Sequence, residues 1–83
     1  MKNLKTFRIM LNTMPKIQEF NRNVLKYPDS HLDLISGKYR VPAKSLMGIF
    51  SLDLEKPVTL EYDEEFENDV YKLFRHFIYV GAM

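Results

Sequence analysis

The 83-residue sequence contains no cysteine, and this absence excludes several kinds of chemistry. Disulfides, thiolate metal sites and cysteine nucleophiles all need the missing side chain. No apolar run approaches the roughly 20 residues that span a bilayer. The first residues, Met1–Lys5, lack the apolar stretch of an export signal. Together these absences predict a soluble, cytoplasmic protein with no membrane partner.

An excess of charge of one sign is also missing. Twelve Lys and Arg residues stand against eleven Asp and Glu residues, which leaves a formal net charge of +1. The basic residues are scattered, as with Lys2, Lys5 and Arg8. A protein that binds the nucleic-acid backbone needs clustered positive charge. The sequence therefore predicts no nucleic-acid partner.

What the sequence does contain favours one packed domain over residues 1–83. Hydrophobic residues make up 46% of the chain and aromatic residues 13%. This content is typical of a globule rather than of a disordered chain. No linker, repeat or low-complexity tract divides the sequence. At this size, folding buries roughly 60 to 65% of the unfolded surface, so the predicted core is thin.

Alternation of polar and apolar residues predicts four strands, because a half-buried strand has a period of two. The strands are expected at about Phe7–Leu11, Leu32–Leu34, Lys38–Val41 and Val58–Tyr62. Between the second and third strands, Ser36 and Gly37 are expected to form the hairpin turn, since glycine tolerates positive φ.

Helical spacing and capping residues predict three helices. Either Asn12 or Thr13 caps the first, with Pro15 in its first turn. The second is expected over Ala43–Leu52, and Asp63 is expected to cap the third. We expect Gly81 to end that last helix. The element order predicts an α+β open-faced sandwich, in which three helices cover one side of a four-stranded antiparallel sheet.

The second predicted helix carries an unusual surplus of apolar residues. Six of the nine residues from Leu46 to Leu54 are large and apolar, and on a helix they point around most of the circumference. A short helix over a sheet buries one side, so some of these side chains should stay exposed. They form either a docking surface or a patch that folds against a loop. Ser45 is either a simple N-cap or a phosphorylation site.

The segment Lys44–Leu52 reads Lys-Ser-Leu-Met-Gly-Ile-Phe-Ser-Leu. It resembles the segment Lys-Ser-Ile-Met-Gly-Val-Met-Ser-Leu of the HPr phosphocarrier family, with conservative differences at three positions. The hairpin at Leu34–Lys38 and the strand at Val58–Tyr62 fall where that family has them. The predicted element order is also similar over essentially the whole chain, so the resemblance implies a single HPr-like domain.

The resemblance implies a place in the sugar phosphotransferase system or its regulation. The matching serine is the target of HPr kinase, which assigns that role to Ser45. Neighbouring apolar residues of the family's helix contact enzyme I, sugar-transport enzymes and a catabolite-control transcription factor. By this resemblance, the partner-binding residues are Lys44, Leu46, Met47 and Phe50.

The family's phosphate-carrying histidine has no counterpart in this sequence. The family places it within Gly-Ile-His-Ala-Arg-Pro at the start of the first helix. The corresponding segment here is degenerate and comprises Thr13, Met14, Pro15 and Lys16. Relay through phosphohistidine needs an imidazole nucleophile, which lysine and methionine do not replace. The sequence is similar to catabolite-repression homologues that lack the histidine, and it departs further by losing the adjacent Ala-Arg-Pro.

The two histidines that the chain does have, His31 and His76, are expected to be ordinary surface or interface residues. They are far apart in sequence and have no flanking acid pattern, so we expect no metal site. No Ser/His/Asp pattern and no glycine-rich phosphate loop is present. The sequence predicts no catalytic residues, no cofactor and no enzyme activity.

Two functional hypotheses follow from the sequence. The first is a non-catalytic, HPr-like regulatory protein that docks through the second helix and is phosphorylated at Ser45. The second is a degenerate interaction module that forms a homodimer or binds an unrelated partner, with Ser45 acting only as a cap.

Overall fold

The computed structural model describes residues 3–80. Its strands are β1 (Leu4–Ile9), β2 (Leu32–Ser36), β3 (Tyr39–Pro42) and β4 (Val58–Asp63). Its α-helices are α1 (Met14–Val24), α2 (Leu46–Phe50) and α3 (Glu67–Phe74). Two 3-10 turns, Glu64–Phe66 and Arg75–Phe77, flank α3.

The four strands form one antiparallel sheet in the order β1-β4-β2-β3. The predicted α+β open-faced sandwich is confirmed. One of the two central strands, β4, aligns Leu60 with Phe7 of β1 on one side and with Leu34 of β2 on the other. Since side chains alternate between the faces of a strand, these residues share the face that the helices cover.

The core lies between that covered face and the helices. Leu34 and Leu60 of the sheet are fully buried, as are Phe20 of α1 and Phe74 of α3. The rings of Phe20 and Phe74 lie 5.1 Å apart, which joins the two longer helices over the sheet. Burial of each such side chain contributes about 1.5–3 kcal/mol, so a few large residues supply much of the stability.

Side-chain caps begin two of the predicted helical segments. Thr13, rather than Asn12, caps α1, because its Oγ1 accepts a hydrogen bond from the Lys16 backbone N–H at 3.3 Å. Asp63 accepts from the Glu65 N–H at 3.0 Å. It thereby caps the 3-10 turn that leads into α3, and the expected start of the third helical region is confirmed.

The second helix is shorter than predicted. The sequence indicated Ala43–Leu52, whereas α2 covers only Leu46–Phe50. Before the helix, the Ala43 N–H donates to the Leu32 carbonyl at 2.9 Å, so the chain is still paired beside β2. Apolar content alone could not reveal this backbone pairing.

Two strand boundaries also differ from the prediction. Ser36 pairs with Tyr39, so the turn consists of Gly37 and Lys38 rather than Ser36 and Gly37. Gly37 has a φ of +60°, which suits the first central position of a type II′ turn. The first strand ends at Ile9, although Leu11 is still fully buried.

The end of the described chain lies along the outer edge of β1. Ile78 forms a single bridge with Ile9, and the Tyr79 N–H donates to the Arg8 carbonyl at 2.8 Å. The Arg8 guanidinium lies 5.7 Å from the centre of the Tyr79 ring. Helical structure ends at Phe77, so the expectation that the last helix continues to Gly81 is wrong, because the chain from Ile78 onward lies beside β1 instead. Gly81 itself lies outside the described residues. Within residues 3–80, no helix has the length and apolar character that crossing a membrane requires.

Candidate functional site

The first residue of interest, Ser45, is the N-cap of α2. Its backbone is extended, and its Oγ accepts a hydrogen bond from the Gly48 N–H at 3.1 Å. Its own N–H donates to the Pro42 carbonyl at 3.0 Å. The capping role considered for this serine is therefore present, and its side chain is only partly buried.

The residues of α2 divide into a buried anchor and an exposed surface. Ile49 is fully buried in the core. Leu46, Met47 and Phe50 are 41%, 84% and 47% exposed, respectively. These three residues are called the α2 surface below. The expectation that part of the apolar surplus stays exposed is confirmed, because one turn of helix has only one side against the sheet.

Gly48 lets α2 lie close to β3. A Cβ at this position would be 3.0 Å from the Cβ of Val41 and 3.1 Å from the Ser45 Oγ. Val41 Cβ is attached directly to the backbone and cannot move away alone, and Ser45 Oγ is the atom that caps the helix. Glycine at this point therefore fixes the distance between the helix and the sheet.

Lys44 forms an ion pair away from the serine beside it. Its Nζ lies 2.7 Å from Asp29 Oδ1, in the segment after α1, and both side chains are largely exposed. The hydrogen bond from Lys44 keeps the pKa of the Asp29 carboxyl below its usual value. In this arrangement the Lys44 ammonium joins two segments of the chain and is directed to Asp29.

The start of α1, where the family resemblance places a degenerate phosphocarrier segment, is an ordinary capped helix end. Thr13 supplies the cap, Pro15 lies in the first turn, and Met14 is exposed. Lys16 donates from Nζ to Asn12 Oδ1 at 3.2 Å. The polar side chains of Thr13 and Lys16 are thus hydrogen-bonded within the helix start itself.

A second feature lies on the open face of the sheet, on the side away from the helices. It consists of His31, Asp33, Arg40 and Glu61, which are called the open-face cluster below. His31 Nε2 lies 2.7 Å from Glu61 Oε1 and 3.5 Å from Asp33 Oδ2. Arg40 Nη1 donates to Asp33 Oδ2 at 3.1 Å and also to Glu61 Oε1.

Strand pairing explains why this cluster contains a cation. Asp33 of β2 is directly opposite Glu61 of β4, and like charges in that position are destabilising. Arg40 extends from β3 across β2 to reach both carboxylates.

The contacts within the open-face cluster shift two pKa values. The hydrogen bond from Arg40 is the main cause of the lowered pKa of Glu61. Burial opposes the shift, and the His31 contact adds to it. The pKa of Arg40 is raised in turn by Glu61 and Asp33.

The sequence reasoning missed this cluster. The sequence was expected to show no flanking acid pattern around the histidines, but one ligand atom from each of His31, Asp33 and Glu61 lies within 4.8 Å of the others. A signal was available: His31 and Asp33 are two residues apart, and Glu61 alternates with the buried Leu60. The fourth member, Arg40, needed the strand order. His76, by contrast, is exposed, as expected.

No family model, no curated protein and no solved structure matches the chain. The likeness to the HPr family therefore rests on the residues of the Lys44–Leu52 segment and on the element order.

Proposed function

We propose that this protein is a non-catalytic, HPr-like regulatory module that docks onto protein partners through the α2 surface, under the control of phosphorylation at Ser45. The observation that carries the proposal is that three exposed apolar side chains project from one short helix, and that the N-cap of this helix is a partly exposed serine. The partners that the family resemblance supplies are HPr kinase and proteins of the sugar phosphotransferase system or its transcriptional control.

The α2 surface has the composition of a small protein-binding patch. Exposed Met and Phe side chains are enriched in the centres of protein interfaces. Met47 is largely solvent-exposed, while Ile49 on the same helix is anchored in the core. A partner would therefore meet apolar groups held on a fixed backbone, so little ordering of the helix would be needed on binding.

Phosphorylation at Ser45 would change this surface directly. Transfer of the γ-phosphoryl group of ATP forms an ester bond at Oγ, breaks the β–γ bond and releases the hydroxyl proton. The product carries about 1.5 to 2 negative charges at neutral pH. The first backbone N–H groups of a helix have no partner within it, so those of Leu46 and Met47 are the nearest donors for the new oxygens. Charge would then lie beside the apolar side chains.

The second candidate is self-association through the same surface. The exposed apolar side chains that suit a partner also suit a second copy of the chain. In that case Ser45 acts as a cap alone. Light scattering across a concentration series separates the two candidates, since dimerisation is independent of ATP and kinase.

The experiment that tests the proposal is incubation with ATP and the HPr kinase of the source organism, followed by phosphopeptide mass spectrometry. We expect one phosphate, located on Ser45. Ser45→Ala should remove it. Ser51→Ala is the matched control, because Ser51 flanks the other end of α2 and donates from Oγ to the Gly48 carbonyl at 2.6 Å. An unmodified chain, or a phosphate on Ser51, would contradict the proposal.

A further inference from the structure

We infer that His31, Asp33 and Glu61 form a binding site for a first-row divalent metal ion such as Zn²⁺, and that Arg40 is a resident cation that the metal displaces. The site lies on the open face of the sheet, whereas α2 is anchored on the covered face through the buried Ile49. The inference is therefore independent of the proposed docking function.

The separation of the ligand atoms suits a metal of this size. Zinc binds nitrogen and oxygen ligands at about 2.0–2.2 Å, so neighbouring ligands of a tetrahedral site lie about 3.3 Å apart. His31 Nε2 is 2.7 Å from Glu61 Oε1 and 3.5 Å from Asp33 Oδ2, distances that bracket this value. All three ligand atoms lie within 4.8 Å of one another, which is close enough for them to converge on one ion. A fourth position stays open for water.

The backbone holds these ligands in place. Asp33 and Glu61 are paired across β2 and β4, the two central strands of the sheet. His31 immediately precedes β2, and its carbonyl accepts a hydrogen bond from the Tyr27 hydroxyl at 3.4 Å. Ligands on paired strands are positioned more accurately than ligands on loops.

The charge balance favours a divalent ion over the arginine. The two carboxylates carry two negative charges, and Arg40 neutralises one of them. A divalent cation would neutralise both. The side chains of His31, Asp33 and Glu61 are only 28%, 20% and 13% exposed, so water screens these charges incompletely. The Arg40 side chain is 51% exposed and can turn into solvent when the metal enters.

The donor set indicates which metals the site would accept. One imidazole nitrogen with two carboxylate oxygens suits Zn²⁺ and its first-row neighbours. Magnesium and calcium prefer oxygen ligands throughout. The site should therefore discriminate against Mg²⁺, which a merely acidic patch would not do.

The test is isothermal titration of the full chain with Zn²⁺, comparing two substitutions that should act in opposite directions. His31→Ala should weaken binding at least about tenfold, since even changes around metal ligands cost 10–100-fold. Arg40→Ala should tighten binding several-fold, because the competing cation is gone. The matched controls are Arg75→Ala and His76→Ala, which change an exposed arginine and an exposed histidine elsewhere. Both should leave the affinity unchanged.

Circular dichroism verifies that each variant is folded, and Asp33→Asn replaces His31→Ala if the latter unfolds. Affinity weaker than millimolar would overturn the inference. The inference would also be overturned if His31→Ala left the affinity for Zn²⁺ unchanged or if Arg40→Ala did not increase it. Binding of Mg²⁺ as tight as that of Zn²⁺ would have the same consequence. The open-face cluster would then be an ion-pair network that only stabilises the sheet.

Discussion

The α2 surface and the open-face cluster are opposites in chemistry and in origin. The first consists of apolar side chains exposed to water, all within the five-residue helix Leu46–Phe50. The second consists of polar and ionisable side chains from β2, β3, β4 and the residue before β2. His31, Asp33 and Glu61 are partly buried, whereas Arg40 is about half exposed. Each departs from the usual rule of apolar residues inside and charges outside.

This difference shows where functional surfaces can occur in a small domain. With a thin core, a helix of one turn cannot hide all its apolar residues, and the remainder becomes a contact surface. The uncovered sheet face has room for charged groups, and those that are partly buried there are paired. Substitutions that alter one of the two regions at a time test this difference between the α2 surface and the open-face cluster.

The largest effect should come from the buried side of α2. Ile49→Ala should lower the free energy of unfolding by about 2–5 kcal/mol, because it leaves a cavity in the core. Met47→Ala, two positions earlier, should stay within about 0.5 kcal/mol of wild type, since surface substitutions rarely matter more. Urea denaturation measures both. Equal losses would mean that the α2 surface is packed rather than available.

The next effect concerns the close approach of α2 to the sheet. Gly48→Ala gains about 1 kcal/mol of helix propensity in isolation. Here the new methyl group would meet Val41 Cβ at 3.0 Å and displace the Ser45 cap. Overpacking costs about 1–3 kcal/mol, so we expect net destabilisation. The same urea titration decides the sign, and a more stable Gly48→Ala variant would show that the helix can move outward freely.

The cap of α2 should have a smaller effect. Ser45→Ala removes the acceptor for the Gly48 N–H and should cost about 1 kcal/mol. Ser45→Asp restores an acceptor and should remain within a few tenths of a kcal/mol of wild type. Thermal unfolding compares the two variants. Equal losses of stability in the two variants would show that the side-chain cap at position 45 does not stabilise the start of α2.

The smallest effect is a pH dependence on the open face. The pKa of Glu61 lies below its ordinary value of 4.5, so the unfolded chain binds this proton more readily than the folded chain. The ion pair therefore adds stability above pH 4.5, and this contribution is lost as pH falls through the lower, folded pKa. Glu61→Gln should flatten that part of the stability profile. Glu55→Gln, at an exposed glutamate, should leave it unchanged.

The fold could be predicted from the sequence wherever local patterns decide it. The alternation around Leu60 predicted β4, and a cap at Asn12 or Thr13 marked the start of α1, of which the structure uses Thr13. The length of α2 could not be predicted, because the hydrogen bond between Ala43 and Leu32 joins distant parts of the chain.

The candidate sites divide in the same way. Leu46, Met47 and Phe50 lie within five positions of one another, so one segment was enough to predict that some of its apolar side chains stay exposed. The family resemblance, not the pattern, singled out these three. The open-face cluster depends on the β1-β4-β2-β3 order, which brings Arg40 of an edge strand to Glu61 of a central one. Non-local strand order is the information that composition and periodicity lack.

Steady-state phosphorylation of the chain by HPr kinase tests the central claim, docking through the α2 surface, most directly. Met47→Ala should reduce kcat/KM at least about fivefold, the loss expected when an interface contact worth more than 1 kcal/mol is removed. The matched control is Leu25→Ala, at a side chain that is 76% exposed beside the end of α1, and it should match wild type. Equal values of kcat/KM for the two variants would contradict the account.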